Sequence, residues 1–163
     1  MNLKPVCRKA RYTFLACFLL VLASCSKETI DTIEIPKAEN DAALEQALLG
    51  IVNDHRTALG YTSLEYSTVA YEYANLHNDY MIAKGGISHD NFSARASNIA
   101  SEVNAEFVAE NVAKDYTSAA EAFQGWLESS SHKKTMEGEF THTAVSVKKD
   151  ANGTFYYTQL FFR

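Results

Sequence analysis

The segment THTAVSVKKDANGTFYYTQLFF, from Thr141 to Phe162, decides the fold class of this chain. Its two halves, Thr141–Lys149 and Thr154–Phe162, are rich in the β-branched and aromatic residues that favour strands. Between them lies the sequence Asp150-Ala151-Asn152-Gly153, whose residue types are typical of tight turns. We therefore predict that the chain closes with an antiparallel β-hairpin.

Upstream of the hairpin, three stretches show the apolar spacing and the terminal residues of amphipathic helices. Glu106 to Ala113 is a predicted strand. The sequence pattern of Phe92 to Val103 is ambiguous and allows either a short helix or irregular structure. Helices that precede a terminal hairpin predict an α+β domain in which helices cover a small sheet. The three predicted helices run from Asn40 or Asp41 to Gly60, from Ser67 to Gly85-Gly86, and from Thr117 or Ser118 through Leu127.

The amino terminus has the pattern of a bacterial export signal. The first eleven positions contain four basic residues and no acidic residue. The apolar run Tyr12–Ala23 that follows is too short to span a membrane. The run ends in LASC, Leu22–Cys25, which resembles a lipobox in which Cys25 receives a lipid before cleavage. An ordinary signal peptide cut after Ser24 is the alternative interpretation.

These features predict three regions in the chain. Residues 1–24 are a lipoprotein signal peptide, residues 25–40 are a flexible tether after lipidated Cys25, and residues 41–163 are one domain. Cys7 and Cys17 leave with the signal, so the domain contains no thiol for a disulfide, a nucleophile or a metal site. Anchoring then depends on the acyl chains, which supply membrane affinity without a spanning helix.

The charge of the exported part excludes one class of partner. The whole chain has 15 basic and 20 acidic residues, and removal of the signal leaves 11 basic residues and a formal charge of −9. A domain this acidic is a poor match for nucleic acid or for an anionic membrane surface. We therefore expect no nucleic-acid binding, and we expect the domain to be a monomer.

One carboxylate lies in an unexpected place. The sequence FVAENVAKDY, Phe107–Tyr116, places Glu110 in the middle of a short apolar run. Burial of an unpaired carboxylate costs several kcal/mol or more. Glu110 therefore either faces water or has a partner that satisfies its charge.

Histidines are the other candidates for chemistry, because they titrate near neutral pH and often bind metals. His77 lies on the apolar stripe of the second helix, which favours a packing role, and His142 lies in a hairpin strand. His89 follows the glycine break on a loop, and His132 lies near the end of the third helix. A nucleophile among Ser129–Ser131 beside His132 is disfavoured, because adjacent residues rarely bring a hydroxyl against an imidazole nitrogen. The local sequence contains no HExxH, GxSxG or CxxC motif.

The order and spacing of several short motifs resemble the CAP superfamily, which comprises cysteine-rich secretory, antigen 5 and pathogenesis-related 1 proteins. The resemblance covers residues 44–163 and is greatest for the bacterial branch that lacks disulfides. The motifs are Asn53 and Arg56, Ala74-x-x-His77 with Met81, Ser88-His89, Glu110-Asn111, Trp126 with His132, and Tyr157-x-Gln159.

This resemblance implies an α-β-α sandwich with a small antiparallel sheet between helical layers. It also implies a cleft that gathers two histidines and two glutamates, and His89, Glu110 and His132 match three of those positions. The fourth position is Ser129 in this chain, next to Glu128. On a continuous helix, Glu128 would lie one turn before His132 and could pair with it.

The resemblance leaves several functions open. A divalent cation, Zn²⁺ or else Ca²⁺ or Mg²⁺, is possible on His89, Glu110 and His132, although the loss of the second glutamate weakens such a site. The favoured interpretation is a non-enzymatic binding module in the cell envelope for a lipid, a glycan or a protein partner. The alternatives are a metal-dependent hydrolase with Glu110 or Glu128 as base, and a cleft with only a structural role. We expect the protein at the outer membrane or the cell surface.

Overall fold

The computed structural model describes residues 38–163, which lie within a compact unit that runs from Pro36 to Arg163. The predicted signal peptide, Cys25 and most of the tether lie outside the described residues. Asn40, the last residue of the predicted tether, is already part of the domain, because it forms a β-bridge with Lys148. Over the described range, no helix has the length and apolar character needed to cross a membrane.

Helices occupy most of the first two thirds of the described chain, and two long strands close it. All three predicted helices and the terminal hairpin are confirmed, and the open stretch after Asn91 is a helix. A two-residue strand and a short helix were not predicted. The elements are α1 (Ala42–Ala58), β1 (Glu65–Tyr66), α2 (Thr68–Lys84), α3 (Phe92–Val103), β2 (Val108–Lys114), α4 (Ala119–Glu128), α5 (Ser130–Met136), β3 (His142–Lys149) and β4 (Phe155–Phe162).

The capping residues fix where the main helices begin. The side chain of Asp41 accepts a hydrogen bond from the Leu44 amide, which selects Asp41 over Asn40 as the cap of α1. Ser67 caps α2 and Ser118 caps α4 in the same way. Such caps satisfy amide groups that have no partner within the helix. Gly85 ends α2 in a left-handed conformation, with φ of 77°, that glycine adopts without strain.

The strands form one sheet in the order β1-β3-β4-β2. β3 and β4 are antiparallel, and β2 pairs antiparallel with β4 in a register that joins Glu110 to Leu160. β1 pairs parallel with β3, so the sheet is mixed rather than purely antiparallel as expected. The exception is small, because β1 contributes only two residues. β2 is therefore an edge strand of the sheet.

Helices cover both faces of the sheet, as the α-β-α prediction required. On one face, α1, α4 and α5 pack around Trp126 and Phe161. On the other face, α2 and α3 pack against Leu160 and Ala144. Because side chains alternate along a strand, β2 directs Ala109, Asn111 and Ala113 to the first face and Val108, Glu110 and Val112 to the second.

Candidate functional site

Glu110 lies on the face of β2 that packs against α2 and α3. Its side chain is only 1% exposed, so the carboxylate does not face water and requires a partner for its charge. Both carboxylate oxygens have charged or ionisable neighbours, which are Arg95 from α3 and His89 from the loop between α2 and α3. The buried carboxylate of Glu110 is thus satisfied by partners from separate segments.

Arg95 provides the opposite charge. Its Nε donates to Glu110 Oε2 over 2.8 Å, and its Nη2 lies 2.6 Å from the same oxygen without the alignment of a hydrogen bond. Its Nη1 donates to the Asp90 carbonyl over 3.0 Å, which fixes the guanidinium relative to the loop. Arg95 is itself buried, so this ion pair is shielded from solvent. A buried ion pair of this kind becomes costly when only one partner is removed.

His89 occupies the solvent side of the carboxylate. Its Nδ1 is 2.9 Å from Glu110 Oε1, and its side chain is 52% exposed. A carboxylate oxygen only accepts hydrogen bonds, so Nδ1 carries the hydrogen in this contact. In the neutral ring, Nε2 is then an unprotonated acceptor. Glu110 therefore orients His89 so that one ring nitrogen is available to a ligand.

His77 forms the inner wall of the site. It is buried on α2, as the packing interpretation predicted, and its Nε2 contacts the Ser88 carbonyl over 2.7 Å. The same nitrogen is 3.8 Å from Glu110 Oε1. Burial is the main cause that lowers the pKa of His77, and the charges of Arg95 and His89 lower it further against the opposing effect of Glu110. A neutral ring with its hydrogen on Nε2 fits this arrangement.

His132 lies on α5, on the other side of β2. Its backbone carbonyl accepts a hydrogen bond of 3.0 Å from the side-chain amide of Asn111. Burial and then the charge of His89 lower the pKa of His132, so the two imidazoles interact electrostatically. No side-chain hydrogen bond or ion pair joins His132 to Glu110 within residues 38–163.

Glu128 and Ser129 do not complete the set. The pairing of Glu128 with His132 that a continuous helix would allow does not form, because α4 ends at Glu128 and α5 begins at Ser130. Ser129 between them has extended backbone angles, with φ of −88° and ψ of 116°. Glu128 instead accepts a hydrogen bond from Gln124 on the exposed side of α4, and the Ser129 hydroxyl contacts that of Ser131.

Glu110 does not fit as a ligand of a divalent cation. The guanidinium of Arg95 lies at Oε2 of Glu110, where a metal would have to bind. The imidazole nitrogens that face the other oxygen, His89 Nδ1 and His77 Nε2, act as hydrogen donors, so the outward Nε2 of His89 is the ring nitrogen left as an acceptor beside Glu110. In the part of the chain that the structure describes, no cluster of three or more His, Cys, Asp or Glu residues could hold a metal ion.

Two residues of this site were not assigned to it from the sequence. Arg95 lies in the stretch whose secondary structure was ambiguous, and the sequence offered no signal that its helix faces Glu110. His77 was interpreted as a packing residue, which describes its burial but not its contact with the carboxylate. A buried carboxylate requires a cation, and Arg95, which is itself buried on α3, meets that requirement.

Comparison with known proteins identifies the family. Residues 49–161 match the CAP family, described as the cysteine-rich secretory protein family. The chain belongs to this family, although residues 38–163 contain no cysteine. It is also 28% identical over 141 residues to the uncharacterized membrane protein YlbC of Bacillus subtilis, a match that covers 78% of this chain and 39% of that protein.

Solved structures show the same fold. An outer surface protein of Borrelia burgdorferi superposes with a TM-score of 0.69 at 15% identity, over 77% of this chain and 98% of that one. An extracellular protein of Bacillus anthracis that contains an SCP domain gives a TM-score of 0.66 at 26% identity, over 74% and 40% of the two chains. A cysteine-rich secretory protein of Staphylococcus aureus gives 0.64 at 16% identity, over 74% and 38%.

Proposed function

We propose that this protein is a lipid-anchored, extracytoplasmic CAP-domain module that binds a lipid, a glycan or a protein partner in the cell envelope and does not catalyse a reaction. The contact between Arg95 and Glu110 carries the non-enzymatic part of this proposal. In the hydrolase alternative, Glu110 serves as a metal ligand or as a free base. In this domain the carboxylate is already neutralised by Arg95 and bound to His89.

The remaining chemistry of the cleft suits recognition. Glu110 fixes the ring of His89, whose exposed edge presents one hydrogen-bonding nitrogen to solvent. Fixed polar groups at a cleft supply orientation and specificity for a bound molecule. Within residues 38–163, no serine or threonine hydroxyl bonds to the imidazole of His89, so the structure offers no nucleophile to go with it.

The anchoring part of the proposal rests on the lipobox and on the relatives. Leu22–Cys25 matches the pattern for lipidation, and the related proteins include an outer surface protein and an extracellular protein. A lipid on Cys25 would hold the domain at a membrane while the segment to Asn40 gives it reach.

Two experiments test this function separately. For anchoring, cells that express the wild-type chain or Cys25→Ala are fractionated, and the protein is followed by labelled palmitate and by immunoblot. We expect palmitate label and membrane association in the wild type and neither of them in Cys25→Ala. Equal membrane association of both forms would contradict the anchor.

For binding, the purified protein is mixed with phosphatidylglycerol–phosphatidylethanolamine vesicles, with peptidoglycan fragments and with linear peptides, with and without EDTA. We expect saturable binding to one of these classes that EDTA does not change, and no turnover of casein or of peptidoglycan. Turnover that is abolished by EDTA and by Glu110→Gln would show that the protein is a hydrolase rather than a binding module. The matched control is Glu128→Gln, which changes an exposed carboxylate of α4.

A further inference from the structure

The free edge of β2 is the most specific unassigned feature of the cleft. β2 is the last strand of the sheet order, and it has a strand neighbour only on its β4 side. Phe107 and Arg163 exchange backbone hydrogen bonds, and the amide of Asp115 donates to Phe155, so odd-numbered residues of this region face β4. Backbone groups alternate along an antiparallel ladder. Val108, Glu110 and Val112 therefore direct their backbone groups away from the sheet.

One observation confirms this direction. The indole Nε1 of Trp126 donates to the Val112 carbonyl over 3.0 Å, so that carbonyl points outward and is capped by a side chain. No comparable partner is found among residues 38–163 for the backbone N–H and C=O groups of Val108 and Glu110. Unpaired backbone groups on an edge strand are a template for pairing with another extended chain.

The edge is accessible where the site residues flank it. Glu110 as a whole residue is 8% exposed whereas its side chain is 1% exposed, so its remaining exposure belongs to the backbone. Helix α3 packs on one side of β2, and helix α5 packs on the other. His89, which contacts Glu110, and His132, whose carbonyl binds Asn111, lie on these two sides of β2.

A side-chain pocket lies beside the same edge. Phe107 and Ala109 from the start of β2, Thr135 from α5 and Phe140 line a cavity of about 330 Å³, which we call the Phe107 pocket. The Phe107 ring is 53% exposed and stacks on Phe140 with centroids 5.8 Å apart. A residue paired opposite Ala109 would direct its side chain to the face where this pocket opens.

We propose that the free edge of β2 binds an extended peptide segment of a partner protein by adding it to the sheet as a fifth strand. The outward backbone groups of Val108 and Glu110, with the N–H of Val112, would pair with the peptide backbone. The Phe107 pocket would take an apolar or aromatic side chain of the peptide, opposite Ala109. Such strand addition derives affinity from backbone hydrogen bonds and specificity from alternating side-chain pockets. This inference rests on the proposed binding function and narrows its partner to an extended polypeptide.

The test begins with a random library of linear 12-residue peptides selected on the purified protein. The selected peptides are synthesised with single backbone N-methyl groups at each position. Strand addition requires that methylation lowers affinity at alternate positions only, by at least tenfold, because successive amides of a strand point in opposite directions. In hydrogen exchange, the amides of Val108, Glu110 and Val112 should become protected when the peptide is bound.

Two proline variants provide a matched pair. Val108→Pro removes an outward amide of β2 and leaves the bonds to β4 in place. Tyr66→Pro removes an outward amide at the opposite edge of the sheet, because Glu65 and Ser67 are the residues that bond to β3. We expect Val108→Pro to lower the affinity for the peptide at least tenfold and Tyr66→Pro to leave this affinity unchanged. Circular dichroism checks that both variants are folded. If Val108→Pro fails to fold, the methylated peptides with the wild-type protein still give the answer.

The outcomes separate this inference from the proposed function. Peptides that tolerate methylation at every position, or that protect amides elsewhere, would overturn strand addition. Binding to vesicles or peptidoglycan fragments without any selected peptide would also overturn it while the binding module stands. Absence of binding to vesicles, to peptidoglycan fragments and to peptides would contradict both the proposed binding function and the strand addition.

Discussion

Arg56 and Arg95 are both buried arginines, but their surroundings differ in kind. Arg56, on α1, donates to the carbonyls of Thr62, Met136 and Gly138 over 2.6–3.0 Å, and no carboxylate within residues 38–163 pairs with it. Arg95 instead pairs with the carboxylate of Glu110. Arg56 therefore ties α1 to the segments around it, whereas Arg95 neutralises a charge at the cleft. The comparison distinguishes a guanidinium that stabilises the fold from one that determines what the site can do.

The largest effect should follow the loss of the cation beside Glu110. Arg95→Met keeps most of the side-chain volume and leaves a buried carboxylate without its partner, which should lower the free energy of unfolding by about 3–5 kcal/mol. Urea denaturation followed by circular dichroism measures this change. The double variant Arg95→Met with Glu110→Gln should recover part of the loss. A loss below about 1 kcal/mol would show that Glu110 does not depend on Arg95.

A smaller effect is expected at the other arginine. Arg56→Met leaves neutral carbonyls without donors, and because the contacts to Thr62 and Gly138 are only partly buried, entering water can satisfy some of them. We expect a loss of about 2–3 kcal/mol, in the range for hydrogen bonds to a charged donor. Thermal denaturation of Arg56→Met and Arg56→Lys measures it, and the lysine variant should retain part of the stability. The comparison between the two arginines would fail if Glu110→Gln suppressed the Arg56→Met defect, because the two sites would then be coupled.

The smallest effect concerns pH. The pKa of His77 is lowered in the folded protein, chiefly by burial, so the neutral ring is favoured there. His77 contributes its full stability above the ordinary pKa of about 6.5, and this contribution is lost as the pH falls through the lowered pKa of the folded state. Wild-type stability should therefore decline from pH 7.5 to pH 5, and His77→Gln should flatten that decline.

His132 should contribute to the pH dependence of stability in the same direction, because burial and the charge of His89 lower its pKa too. Urea denaturation at several pH values measures the slope for the wild type, His77→Gln and His132→Gln. A slope that is identical in all three proteins would show that neither ring changes its protonation on unfolding.

Local sequence patterns were sufficient for most of the fold. The capping residues Asp41, Ser67 and Ser118 indicate where helices begin. The hairpin is predicted by β-branched residues on either side of a turn. The third helix was predicted through Leu127, close to its observed end at Glu128, whereas the short helix α5 that begins at Ser130 was not predicted. β1 is too short for any periodic signal, and its parallel pairing depends on where β3 lies.

The site was predicted in part. His89 and Glu110 are in contact, whereas Glu128 faces away and His132 contributes its backbone to Asn111. The role of Arg95 depends on the angle at which α3 crosses β2, which is a tertiary property that no local motif encodes. The burial of Glu110 was the one signal in the sequence that demanded a partner of positive charge.

The central claim is that Arg95 satisfies Glu110, so that this carboxylate does not ligate a divalent cation. Calorimetric titration of Zn²⁺ into the wild-type protein, with Glu110→Gln alongside, tests this most directly, because the described domain has no cysteine that would bind zinc elsewhere. The account predicts no saturable one-to-one binding that Glu110→Gln removes. A one-to-one site of micromolar affinity that is lost in Glu110→Gln would contradict it, because Zn²⁺ binding would then depend on the Glu110 carboxylate.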